Sequence, residues 1–260
     1  MENNYQVAIG INGKKYVKKE TVGAVFHMTD GNSKTGRAGN YNLPIEYTCD
    51  HNAPCYKEGV CYAENGCYMF TSNQAGYSEN LNYFNACKDS EFIDSVAWYL
   101  VQEKLALHRW FTCGDIPNTR FLHCMVEIAN RLPNVKFWCY TKKYALVNGY
   151  CDRNGGRSAI PSNLKIIFSH WLCDDGHYWP MENPYNFPTS EFIPLGKEEL
   201  AETVTHICPC SDPTVKATCE TCDRPCYDLA DGESMALMEH STKRTKARDK
   251  ALKEAKALLK

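Results

Sequence analysis

Cys49, Cys55, Cys61 and Cys67 recur at one constant interval, and a second group, Cys208, Cys210, Cys219, Cys222 and Cys226, follows near the other end of the chain. Thiolates are soft donors that select iron–sulfur clusters, zinc or copper(I), and several must approach one centre from tetrahedral directions. Cys219 and Cys222 have the two-residue spacing that turns both sulfurs toward one centre. Cys226 follows three residues later, and Cys208 of Cys208-Pro209-Cys210 offers a fourth donor. This second group is a strong metal signal, but its spacing leaves zinc and iron–sulfur open, since both accept four cysteines at such intervals.

The gaps in the first group are five residues each, longer than a simple chelate loop. Cys49, Cys55 and Cys61 nevertheless share one loop with His51, Asn52, Pro54 and Gly59, and no apolar periodicity there would bury them as core. Cys67 is either a fourth ligand or a buried thiol on a helix that residues 62–70 begin. Three thiolates without an obvious fourth would leave one iron of a four-iron cluster open to a small molecule, the arrangement that radical chemistry on S-adenosylmethionine requires. Cys87, Cys113, Cys124, Cys139 and Cys151 instead fall on the apolar pattern of predicted helices and strands, and read as small buried hydrophobes.

The elements that must position these residues alternate. Residues 90–107 carry Phe92, Ile93, Val96, Ala97, Leu100, Val101 and Leu105 at helical spacing, and a strand over 109–113 follows, ended by Gly114-Asp115. A second helix starts at Pro117, and strands are predicted over 135–140, 164–169 and 203–207. Helices are predicted over 143–151 and 197–202. Residues 41–47 read as a short strand entering the first cysteine loop, and residues 5–26 as a hairpin about Asn12-Gly13. Residues 171–194 read as an irregular aromatic and proline-rich loop. The reading is an α/β protein: a partial (β/α) barrel with mostly parallel strands, a Cys-rich loop at the strand C-terminal ends and a Cys-rich C-terminal extension. Its parts are an N-terminal strand pair and Gly-rich loop (1–40), the barrel core (41–207), a Cys-rich metal-binding extension (208–240) and a basic helical tail (241–260). Ligands of parallel α/β folds sit at strand carboxyl ends, so Asp115, Lys142, Ser169 and His170 are candidate polar lining.

Composition narrows the partners. The formal charge is −2, yet residues 241–260 hold eight Lys or Arg against Asp249 and Glu254. Such a tail suits nucleic acid or an acidic partner, although a solvated helix face is the favoured reading. No apolar run approaches the ~20 residues that span a bilayer, and Met1 to Lys19 has no apolar signal region, so a cytoplasmic protein is expected. Gly31, Gly36 and Gly39 lack the spacing of a Walker loop. No Gly-x-Ser-x-Gly, His-Glu-x-x-His or defensible carboxylate pair argues for hydrolysis.

Gly31-Asn32-Ser33-Lys34, Thr48-Cys49 with Cys61-Tyr62-Ala63, Gly114-Asp115, Tyr140-Thr141-Lys142, Pro161-Ser162-Asn163-Leu164 before Ser169, Cys208-Pro209, and Cys219, Cys222 and Cys226 with His240 beyond occur in an order that resembles the gene-product-eighty-eight family of phage and bacterial proteins. That family is itself similar to radical S-adenosylmethionine enzymes. The resemblance implies one or two four-iron clusters (4Fe–4S), Cys49, Cys55 and Cys61 as ligands of one of them, and Gly114-Asp115 where the amino group of S-adenosylmethionine would be held. It also implies the host cytoplasm as location and a small-molecule or peptide substrate left open. The five-residue gaps depart from the radical enzymes' usual spacing. The expected function is a radical-type redox enzyme; the alternative is a non-catalytic metalloprotein, with structural zinc or closed clusters, acting as a binding or electron-transfer module.

Overall fold

The computed structural model describes residues 5–9, 15–19, 26–194, 196–197, 206–211, 215–240, 246, 247 and 250. A hairpin of β1 (Tyr5–Ile9) and β2 (Lys15–Lys19) comes first, paired antiparallel from Tyr5↔Lys19 to Ile9↔Lys15; the turn expected at Asn12-Gly13 lies outside the described residues. Then follow β3 (Gly39–Tyr41), single helical turns α1 (Ile45–Thr48) and α2 (Pro54–Lys57), helices α3 (Thr71–Ala86) and α4 (Asp89–Gln102), β4 (Leu107–Trp110) and α5 (Thr119–Arg131). The remaining elements are β5 (Lys136–Thr141), α6 (Tyr144–Arg153), β6 (Leu164–Trp171), β7 (Thr189–Ile193) and β8 (Ser234–Met238).

Strands β3 to β8 form one sheet in chain order, every neighbouring pair parallel. The sheet is open, with β3 and β8 at its edges. Each edge carries one isolated bridge, Thr29↔Asn40 at β3 and Ile207↔Ala236 at β8, which limits its exposed pairing surface. The mixed α/β class and the parallel sheet agree with the sequence reading, and six strands replace the five expected. The hairpin lies against α4.

Side-chain alternation sends the two faces to different environments. His108, Trp110, Phe137, Cys139, Leu164, Ile166 and Phe168 pack with helix residues such as Phe92, Leu100, Phe121 and Met125 in the main core. Trp138, Ile167 and Met235 face the opposite way, against Cys226, Leu229 and Tyr227. Helix α5 begins where the Asn118 side chain accepts from Phe121 N at 2.9 Å, satisfying one amide the helix leaves unpaired. Arg120 ties α5 to α4 through Asp89 at 2.5 Å and closes the end of α3 by donating to the carbonyls of Phe84 and Cys87.

Several expected boundaries move. The strand expected over 41–47 ends at Tyr41, and Ile45–Thr48 is helical. The strand expected over 109–113 is Leu107–Trp110, because Phe111 takes φ +57° and Gly114 φ +91°, which break extended backbone. Residues 62–70 hold two 3-10 turns and not the start of a helix; helix α3 begins at Thr71. The stretch read as loop over 171–194 contains β7. The segment assigned to a Cys-rich extension, 208–240, supplies β8 and so belongs to the sheet as well. The helix expected over 197–202 and most of the strand expected over 203–207 lie outside the described residues. So does most of the tail 241–260, of which 246, 247 and 250 are helical. Among the described residues no helix is long and apolar enough to cross a membrane.

Candidate functional site

At the carboxyl ends of the strands lies a cavity of about 160 Å³, room for on the order of ten water-sized positions. Cys49, Cys55 and Cys61 line it together with Gly114, Asp115, Thr141, Lys142 and Ser169. A short scaffold holds this mouth. Asn42 Oδ1, just beyond β3, accepts from Thr112 N and Thr112 Oγ1 at 2.8 Å and from Cys113 N at 3.1 Å. Thr48 Oγ1, at the end of α1, accepts from Asp115 N at 3.2 Å. Glu58 fastens the cysteine loop to the end of β6, accepting from Trp171 Nε1 at 3.3 Å and Asp174 N at 2.9 Å.

Gly114 is required by its surroundings. Its φ is +91°, and a Cβ there would stand 2.6 Å from the Leu43 carbonyl oxygen, so the bend that aims Asp115 inward admits no side chain. The Asp115 carboxylate accepts from Thr141 Oγ1 and Ile116 N at 2.7 Å and from Lys142 N at 3.1 Å. Burial nevertheless raises its pKa, outweighing those hydrogen bonds. Lys142 Nζ donates to Ser169 Oγ at 3.1 Å and lies 4.6 Å from the centre of the Trp171 ring. Tyr144 Oη donates to the Ser169 carbonyl.

The three sulfurs influence one another across the cavity wall. Interaction with Cys61 lowers the pKa of Cys55, and interaction with Cys55 together with burial raises that of Cys61. Cys49 is pushed up to about 12, by burial first and by the Asp115 charge next. Protonated thiols must lose protons to bind a metal. Lys142 favours that loss at both Cys49 and Cys55. Among the described residues no three His, Cys, Asp or Glu side chains stand gathered as a ready metal site. The donor chemistry fits a soft metal or cluster: three mutually coupled thiols on one wall with a cation beside them.

Two residues missed by the sequence reading join this wall. Cys113, assigned to the core, lines the cavity and raises its pKa through burial and Cys49. His240, which the sequence reading named only as lying beyond the last cysteines, lines it too, its Nδ1 2.8 Å from the Met238 carbonyl and its pKa lowered by burial. Cys113 had one available signal, its place directly before Gly114-Asp115. Two expected residues are elsewhere. Cys67 is exposed and lies off the cavity wall, beyond the bend that Gly66 makes at φ +62°. His170 pairs with Glu191 at 2.9 Å and stacks on Tyr178.

The second group gathers on the same sheet face, further from the strand ends. Cys208, Cys210, Cys219, Cys222 and Cys226 line one void of about 10 Å³ with Trp138, His206 and Tyr227. Tyr140 Oη donates to Cys226 Sγ at 2.9 Å, and Tyr140 also lines the larger cavity. The Gly31-Asn32-Ser33-Lys34 loop clamps this group. Cys219 N donates to the Lys34 carbonyl at 3.0 Å, Lys34 Nζ to the Cys210 carbonyl at 2.5 Å, and Arg37 N to Glu220 Oε2 at 2.9 Å. With Asn32 Oδ1 accepting from Lys34 N and Thr35 N, these amides are satisfied within the protein, which is not the arrangement of a phosphate cradle.

A protein-family model described as Gene product 88 matches residues 11–176, well over half of the chain. The match includes the first thiol loop, Gly114-Asp115 and Lys142; the second thiol group lies beyond it. No curated protein and no solved structure matches the chain.

Proposed function

This chain belongs to the Gene product 88 family, and on that footing we propose that it is an iron–sulfur protein whose larger cavity supports radical-type redox chemistry on a bound small molecule or peptide. One observation carries the reading: Cys49, Cys55 and Cys61 face a single cavity into which strand-end residues converge. Those three residues would hold a four-iron cluster, and Asp115, Lys142 and Ser169 would line the place for S-adenosylmethionine. When bound, the cluster supplies one electron for reductive cleavage of that cofactor.

The chain's own contribution is positioning. Asp115 is fixed by three hydrogen bonds and does not swing into the cavity as a mobile base. Lys142 offers a positive charge at the mouth, braced by Ser169 and the Trp171 ring. Trp171 stacks on Phe192 at 3.5 Å and walls off one side from water, which strengthens the electrostatic interactions within.

A second reading is favoured by Cys113, whose place beside Cys49 supplies a fourth thiol. Four protein thiols would close the site as zinc or a closed cluster, and the protein would then be a binding or electron-transfer module. Anaerobic protein, reduced and incubated with S-adenosylmethionine, separates the two readings. The first predicts 5′-deoxyadenosine, retained in Cys113→Ser and lost in Cys55→Ser. Absence of that product under strong reduction favours the second.

A further inference from the structure

On β4, His108 and Trp110 point into the helix-covered core, and alternation sends Arg109 to the other face, where it lines the larger cavity. Its backbone pairs with Asn40 on one side and Trp138 on the other, inside the sheet. Its guanidinium therefore lies deeper than Asp115 and Lys142, which follow the ends of their strands. The Arg109 Nε is shut off from solvent and has no hydrogen-bond partner. Its Cζ lies 5.1 Å from the centre of the Tyr140 ring. Among the described residues no ion pair forms on Arg109, and the groups that most influence its charge are Tyr62, Tyr140, Cys219 and Tyr68, none of them a carboxylate.

A half-buried guanidinium whose Nε is desolvated and unpaired is costly, and it stays charged across the accessible pH range. Among the described residues the other ionisable groups on the cavity wall, besides the thiols and the Tyr62 and Tyr140 phenols, are Asp50, Asp115, Lys142 and His240. Asp115 is engaged with the Thr141–Lys142 turn, and Asp50 accepts from Asn52 N in the cysteine loop at 2.8 Å. Neither neutralises Arg109. A planar fork of N–H donors on the wall of this cavity matches the paired oxygens of a carboxylate or phosphate.

We propose that the floor of this cavity binds an oxyanion, the carboxylate or phosphate of the molecule on which the protein acts, with Arg109 as its counter-ion. The inference rests on reading the cavity as a substrate site, and it names the substrate class. Among the described residues an internal competitor is the second thiol group, since Cys219 is among the groups that sense Arg109.

Thermal unfolding of the full chain as purified, in sodium phosphate, sodium succinate or sodium chloride at matched ionic strength, tests the proposal. At least one oxyanion raises the wild-type midpoint in a saturable way that chloride does not reproduce. Phosphate alone identifies a phosphate ester and succinate alone a carboxylate. Arg109→Gln abolishes the response and, in chloride, unfolds no earlier than wild type, because the unpaired, partly desolvated charge is gone. Arg109→Lys, which keeps the charge without the fork, weakens the anion about tenfold or more and carries the comparison if the glutamine variant does not fold. A response that persists in both variants, or no response to either oxyanion, overturns the proposal. Anion binding without 5′-deoxyadenosine formation sinks only the radical reading, and the converse sinks only this inference.

Discussion

The two thiol groups sit on one face of one sheet, yet one surrounds about 160 Å³ of cavity and the other about 10 Å³. The larger space opens among strand ends, with Arg109, Lys142 and Asp115 beside its sulfurs. The smaller is lined by five cysteines, two aromatic rings, Pro225 and His206, with no lysine or carboxylate on its wall among the described residues. Protein metal sites divide in the same way: a structural site is closed by its ligands, and a reactive site keeps a position open. On the proposed reading, this difference gives the second group the structural role of holding the C-terminal segment on the sheet and the first group the chemistry.

Losing a ligand of the closed group has the largest expected effect on stability. On the proposal that this group holds a structural metal, whose binding is folding free energy, Cys222→Ser should lower the unfolding free energy by several kcal/mol or leave the chain unfolded. Cys55→Ser, on the open cavity, should shift it far less. Chemical denaturation of both variants checks this, and equal losses would erase the distinction. A smaller effect is expected at the bend between strand and cavity. Gly114→Ala forces a methyl against the Leu43 carbonyl at positive φ, costing about 1–3 kcal/mol. It should also impair binding at the cavity while leaving the metal of the second group in place. A variant as stable as wild type would show that the bend is not fixed by Leu43.

Much of the arrangement was legible in the sequence, and the physical reasons for the rest are specific. Helices α4 and α5 carry clean apolar stripes, and β5 and β6 are short apolar runs between turn signals, so their order and the parallel sheet followed. Strand β8, Ser-Met-Ala-Leu-Met, has no β-branched residue and reads as helix or strand with equal ease. Helix α3 has a poor apolar stripe interrupted by Gly76 and Asn80, and buries little beyond Asn80, Tyr83 and Phe84. In the site, Cys49, Cys55 and Cys61 were found because a loop rich in Pro, Gly and Asn gives cysteine no core to enter. Arg109 was hidden because only pairing of the strands decides which face a residue takes, and Cys113 because the strand ends at Trp110, before the turn at Phe111 carries it to the cavity wall. Cys67 was lost to one glycine bend.

Iron, zinc and acid-labile sulfide measured on anaerobically purified wild type and Cys55→Ser bear most directly on the claim that three thiols of one loop serve one reactive centre. The account predicts brown wild-type protein containing iron and sulfide, and a Cys55→Ser variant that loses the cavity's share while keeping whatever metal the second group holds. Colourless protein carrying zinc alone, or a variant with undiminished iron, would contradict it.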